Sequence, residues 1–195
     1  MNIQSAVLEG TNILKDEYIL TAQLDTEVLM AKVLGKSREY IILNNNKNLE
    51  NNNLEYFKKL IKERATRKPI AYLLNKKFFW NNDFFVNKDT LIPRPDTEVV
   101  IEQILKLTKH KNKINILDIG VGSGCILLTI LKERKNFYGT GIDISKKTLD
   151  ICKINAKNLQ VETRTKFYKS DIDKFTQGKY DLVVSNPPYI KRCDL

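Results

Sequence analysis

The sequence predicts an α/β protein in which a small helical bundle precedes a domain of alternating strands and helices. Three observations carry that expectation. Apolar residues recur at three- and four-residue steps in the first third of the chain. From Ile114 onward, short apolar runs alternate with helical periodicity. Between these regions, paired aromatic clusters and two prolines interrupt both patterns. The length of 195 residues suits one medium domain or two small ones, and 42% hydrophobic content is enough to build a core.

Each element follows from its own signal. Leu24, Val28, Leu29, Ala31, Val33 and Leu34 mark a helix over 24–34, and Gly35 stops it. Residues 44–53 are polar and predict a loop. Leu54, Phe57, Leu60, Ile61 and Ala65 mark a second helix that ends before Pro69. KFFWNNDFFV places two aromatic clusters around Asn81, Asn82 and Asp83, a hairpin signature. LIPRPDTE (91–98) follows, with Asp96 and Glu98 suited to the first turn of the helix carrying Val99 to Leu107. Strands are expected at 114–119, 137–142, 165–168 and 180–184, and helices at 125–132 and 146–158. Such alternation argues for βαβ units and a parallel sheet.

Composition excludes several classes of function. No apolar run approaches the roughly 18 residues of a membrane helix. MNIQSAVLEG lacks the basic and apolar regions of a secretory signal. Cys125, Cys152 and Cys193 form no Cys-x-x-Cys pair, so neither a disulfide framework nor a metal site is expected. The one histidine, His110, excludes most triads built on histidine. Cytoplasm is the expected compartment. Residues 1–87 carry 13 basic and 10 acidic groups and residues 88–195 carry 20 and 13, which divides the net charge of +10 into +3 and +7. The basic second half suits an anionic partner such as nucleic acid, or is simply a lysine-rich solvated surface.

The chemistry concentrates at the ends of the expected strands. Ile116 to Ile119 runs into Gly120, Val121, Gly122, Ser123 and Gly124, an apolar strand entering a glycine turn and then a helix. It is neither a P-loop nor the full dinucleotide pattern, and on its own it is either a tight turn or a nucleotide cradle. Asp143 ends the next strand 23 residues beyond Gly120, where an acidic group accepts both ribose hydroxyls. Asp171 follows the third strand and suits either an adenine amino group or a helix cap. Ser185, Asn186, Pro187, Pro188 and Tyr189 follow the fourth strand. Asn186 and the carbonyls around the prolines are acceptors suited to a planar NH2 group, and Tyr189 offers a flat face.

Together these residues resemble the class I methyltransferases that use S-adenosylmethionine, and more narrowly the N5-glutamine methyltransferases of peptide-chain release factors. The resemblance is carried by KPIAYLL (68–74), FFW (78–80), LIPRPDTE (91–98), LDIGVGSG (117–124), GIDIS (141–145), SD (170–171) and SNPPYI (185–190). It implies a helical substrate-recognition domain at 1–74, a hairpin linker at 75–90 and a Rossmann-like methyltransferase domain at 91–195. It further implies that Gly120 to Gly124, Asp143, Asp171, Ile172 and Asn186 hold S-adenosylmethionine. Pro93, Arg94, Glu98, Asn186, Pro187, Pro188 and Tyr189 would face the substrate, with Asn186, Pro187 and Tyr189 catalytic. The expected target is the glutamine of a Gly-Gly-Gln motif in release factors, on or near the ribosome, with no membrane involved and direct nucleic-acid binding not favoured. The alternatives are a nucleic-acid amino methyltransferase acting on DNA or rRNA, or an inactive remnant that only binds a partner. Two departures stand out. Ile172 replaces the aromatic residue that relatives often place after Ser-Asp. The family fold has seven strands and Asn-Pro-Pro-Tyr closes the fourth, so the domain is expected to be truncated, lacking its last three strands.

Overall fold

The computed structural model describes residues 1–187, so Pro188 and Tyr189 lie outside the described residues. The chain divides into two compact units, the first Met1–Asn75 and the second beginning at Lys76.

The first unit is helical. Its elements are α1 (Ile3–Asp16), α2 (Ala22–Leu34), α3 (Arg38–Leu43), α4 (Asn51–Ala65) and α5 (Ile70–Leu74). Asn2 starts α1 by accepting the Ser5 N–H at 2.8 Å, and Ser37 caps α3 in the same way. Gly35 ends α2 in the left-handed conformation, φ 61°. Leu14, Leu29, Met30, Phe57 and Ile61 form the centre of the core. The buried face of α2 differs from the apolar stripe expected from sequence. Leu24 is half exposed, while Asp25, Thr26 and Glu27 are buried. Their polar atoms are matched: Asp25 accepts from Arg64 Nε at 2.7 Å and the Thr21 hydroxyl at 2.9 Å. Glu27 accepts from Arg38 Nε at 2.6 Å and Gln23 Nε2 at 3.0 Å. Paired in this way, charged side chains are tolerated where apolar ones were expected.

The second unit opens with a hairpin of β1 (Lys77–Phe79) and β2 (Asn82–Phe84). The reversal falls on Trp80 and Asn81, both at positive φ (45° and 57°), so it begins one residue before the Asn81–Asp83 cluster and shares Asn81 with it. Two outside contacts hold Trp80 there. Its backbone N–H donates to Glu98 Oε1 and its indole N–H to Glu133 Oε1, both at 3.0 Å.

The sheet that follows has β3 (Asn115–Ile119), β4 (Tyr138–Asp143), β5 (Thr165–Lys169) and β6 (Leu182–Ser185). All pairings are parallel and the order is β5-β4-β3-β6. The accompanying helices are α6 (Glu98–Leu107), preceded by a 3-10 turn at Pro95–Thr97, α7 (Cys125–Glu133) and α8 (Lys146–Asn158). Ile116, Leu127, Leu128, Ile130, Phe137, Leu149 and Cys152 form the core between sheet and helices. The Arg164 guanidinium donates to the carbonyls of Leu131, Arg134 and Phe137, satisfying backbone acceptors where α7 ends.

The register sets one row of residues across the carboxyl ends of the strands. Ile119 pairs with Ile142 on one side and Ser185 on the other, and Asp143 pairs with Lys169. Gly120 is therefore level with Asp143 and Asn186, and Ser170 and Asp171 follow one strand further out. This is the edge at which open α/β sheets bind their ligands.

Candidate active site

A cavity of about 640 Å³ opens at that edge, a size suited to a nucleoside-sized ligand. Five stretches of chain wall it. Four are the glycine turn after β3, the end of β4 with Asp143 and Ile144, the segment Ser170–Ile172, and Asn186 with Pro187. The fifth wall is Asp89–Arg94 with Thr97. Thr148 at the start of α8 holds this wall by donating to the Asp89 carbonyl at 2.8 Å.

The glycine turn is built for close approach. Gly120 has φ 71°, and a Cβ placed there meets nothing within 4 Å, so the space beside its backbone is open. The Gly120 and Val121 N–H groups donate to the Ile142 carbonyl and tie the turn to β4. Gly124 does different work. It does not line the cavity; its φ is 82°, and a Cβ would come within 2.6 Å of Cys152 Sγ and Leu128 Cδ1. It lets α7 start tight against α8.

Asp143 has two tasks. Oδ2 accepts the Gly122 N–H at 3.3 Å and Oδ1 accepts the Ser145 N–H at 2.9 Å, so the carboxylate shapes the turn as well as facing the cavity. Asp171 likewise lines the cavity while capping the 3-10 turn Ile172–Lys174, accepting the Asp173 N–H at 3.3 Å. Ile172 is half exposed at the rim. Pro93 and Arg94 line the cavity, Pro93 buried and Arg94 exposed. Glu98 does not line it; its carboxylate accepts the Trp80 N–H. Asn186 is half-buried. Its Nδ2 donates to the Thr97 hydroxyl at 3.2 Å, and among the described residues its Oδ1 accepts no hydrogen bond.

Two residues at the site carried no signal of their own in the sequence. Asp118 is 2% exposed, lines the cavity, and has an Oδ2 with no partner among the described residues. Burial pushes its carboxyl up to about 7; the Asp143 charge adds to the rise and the Leu127 N–H opposes it. Its place at the end of an apolar strand, two residues before Gly120, was the available clue. Asn155 is fully buried inside α8. It donates to the carbonyls of Ser123 and Phe85 and accepts the Phe85 N–H, joining the glycine turn to the chain leaving the hairpin. An asparagine in a helix interior gives no hint of such reach. Burial also raises the neighbouring thiols, Cys125 to about 12 and Cys152 well above the ordinary value, so both remain protonated.

These features fit a sulfonium-bearing nucleoside. Open space stands where a Cβ at Gly120 would lie, a carboxylate flanks the turn, and a buried carboxylate oxygen lacks a partner. A cationic ligand would satisfy that last atom.

Residues 5–74 match the PrmC N-terminal domain and residues 96–194 match the Methyltransferase small domain. The release factor glutamine methyltransferase of Clostridium acetobutylicum is 35% identical over 100% of this chain and 70% of its own length. That of Leptospira interrogans is 36% identical over 99% of this chain and 69% of its own. That of Caulobacter vibrioides is 36% identical over 91% of this chain and 62% of its own. The chain thus spans between 62% and 70% of the length of these three relatives. Among the described residues, no helix is long and apolar enough to cross a membrane.

Proposed function

Because this chain belongs to the release factor glutamine methyltransferase family, we propose that it methylates the side-chain amide nitrogen of the glutamine in the Gly-Gly-Gln motif of peptide-chain release factors. The methyl donor is S-adenosylmethionine. The observation that carries this reading is Asn186, set level with Gly120 on the strand edge, with Oδ1 accepting no hydrogen bond among the described residues and Asp143 on the opposite side of the turn.

An amide nitrogen is a poor nucleophile because its lone pair is delocalised into the carbonyl. The chain's task is to hold the NH2 group so that this lone pair points at the methyl donor. Asn186 Oδ1 accepts one N–H and the Pro187 carbonyl accepts the other. The same acceptors stabilise positive charge as it develops on nitrogen. Such orientation is worth roughly 7–11 kcal/mol of a barrier. No base is required before transfer, so the site functions without histidine. Asp143 would accept from the ribose hydroxyls of a bound S-adenosylmethionine, Asp171 and Ile172 would border its base, and Asp118 would face its positive charge. When bound, S-adenosylmethionine supplies a methyl group on a positively charged sulfur. Pro93 and Arg94 face the incoming substrate, and Tyr189 lies outside the described residues. The helical unit recognises the release factor. The reaction takes place in the cytoplasm, on or near the ribosome.

The test is label transfer from S-adenosylmethionine to release factor. Asn186→Ala is expected to slow transfer about 100-fold or more. Cofactor affinity by calorimetry should stay within about threefold of wild type, because Asn186 contributes one neutral hydrogen bond at most. Near-normal turnover by the variant overturns the amide clamp. Label appearing in DNA or rRNA instead of release factor overturns the substrate.

A further inference from the structure

The clamp leaves one question of orientation. A carboxamide has an acceptor end and a donor end of nearly the same shape. Only the acceptor end serves a substrate NH2 group, since the opposite orientation sets N–H against N–H. Asn186 lies just past the end of β6, and rotation about its last side-chain bond exchanges the two ends. Something must bias that rotation.

The residue in contact is Thr97, 89 positions earlier in the chain. Its hydroxyl lies 3.2 Å from Asn186 Nδ2 and takes the donor end, leaving Oδ1 directed elsewhere. Thr97 is itself held. It is 7% exposed, it ends the 3-10 turn Pro95–Thr97, and its N–H donates to the Arg94 carbonyl at 3.0 Å. Pro93 and Pro95 fix the backbone before it, and β-branching limits its side chain to few rotamers. A buried, rotationally stiff hydroxyl on a rigid turn is a good reference point for a neighbouring amide.

We propose that Thr97 is a positioning residue for methyl transfer: its hydroxyl accepts the Asn186 Nδ2–H and so selects the carboxamide orientation that presents Oδ1 to the substrate amide. This rests on the role given to Asn186 above. It also gives the segment 91–98 a task beyond walling the cavity, because that segment sets the alignment of the acceptor on β6.

Two substitutions in the full chain test it. Thr97→Val keeps the shape and removes the hydroxyl; Thr97→Ser keeps the hydroxyl and removes the methyl. Thr97→Val is expected to lower kcat about tenfold, the scale of one lost orienting hydrogen bond. KM for release factor and affinity for S-adenosylmethionine should change less than about twofold, because binding contacts are retained. Thr97→Ser should recover most of the rate. In an Asn186→Ala background, Thr97→Val should add no further loss. A readout independent of turnover is the pair of 15N-bound side-chain amide protons of Asn186, assigned by their disappearance in Asn186→Ala. One should move upfield in Thr97→Val and stay in place in Thr97→Ser. Unchanged amide resonances in Thr97→Val overturn the proposal, as does wild-type kcat in that variant. A Thr97→Ser rate as low as that of Thr97→Val also overturns it, by assigning the effect to methyl packing. If instead Asn186→Ala retains full activity while the amide resonances respond to Thr97→Val, the contact exists and the clamp reading is what fails.

Discussion

Each unit of this protein buries carboxylates, and treats them in opposite ways. In the helical unit Asp25 and Glu27 are 4% and 6% exposed, and each accepts from an arginine and a second donor. In the α/β unit Asp118 is 2% exposed, with an oxygen that has no partner among the described residues and a carboxyl pushed up to about 7. A paired buried charge belongs to the fold; an unpaired one beside a cavity marks a candidate functional site. The contrast separates a unit whose buried carboxylates are paired by its own side chains from one that leaves a carboxylate oxygen without a partner among the described residues, beside a cavity.

The largest effect that tests the contrast is Asp25→Ala. It strands the Arg64 guanidinium, 15% exposed, and removes the partner of the Thr21 hydroxyl. A loss of about 3 kcal/mol is expected, read by urea unfolding followed through helical circular dichroism. A loss under about 0.5 kcal/mol, the size of an exposed pair, breaks the contrast. Next comes Asp143→Ala, which frees the Gly122 and Ser145 N–H groups and removes the ribose acceptor. Affinity for S-adenosylmethionine by calorimetry should fall about tenfold or more, the scale of hydrogen bonds to a charged group. Unchanged affinity removes the ribose role. The effect that is smallest per step of the quantity varied is the pH slope set by Asp118. Between the ordinary carboxylate value of about 4 and the folded value of about 7, the native state binds its proton more tightly than the unfolded chain does. Its contribution therefore destabilises the ligand-free protein as pH rises through that window, by less than about 1.4 kcal/mol per pH unit. Asp118→Asn should remove that slope in thermal unfolding between about pH 4 and 7 without lowering stability at pH 7. If it destabilises as Asp25→Ala does, Asp118 is a structural carboxylate and the two units are alike.

Most strand ends were legible because function there depends on local pattern. Gly120, Asp143 and Asn186 each follow an apolar run, and parallel register brings such ends level. Other features were not legible because their cause is remote. The polar face of α2 depends on Arg38 and Arg64, 11 and 39 residues from the carboxylates they meet. The hairpin turn falls on Trp80 because Glu98 and Glu133 hold it. Glu98, which the motif suggests for the substrate side, has its carboxylate on the hairpin instead. Asn155 links Ser123 to Phe85 across 32 and 70 residues.

By itself the sequence determined the division into a helical unit and a parallel α/β unit, the order of the elements from the hairpin onward, and the family, because periodicity and short motifs depend on neighbours a few residues apart. Tertiary structure alone decided which carboxylates are paired among the described residues and which is not, which glycine lines the cavity and which admits a helix, and which end of the Asn186 amide meets Thr97. Those outcomes depend on donors and acceptors brought together from distant positions, and no local pattern encodes such distances.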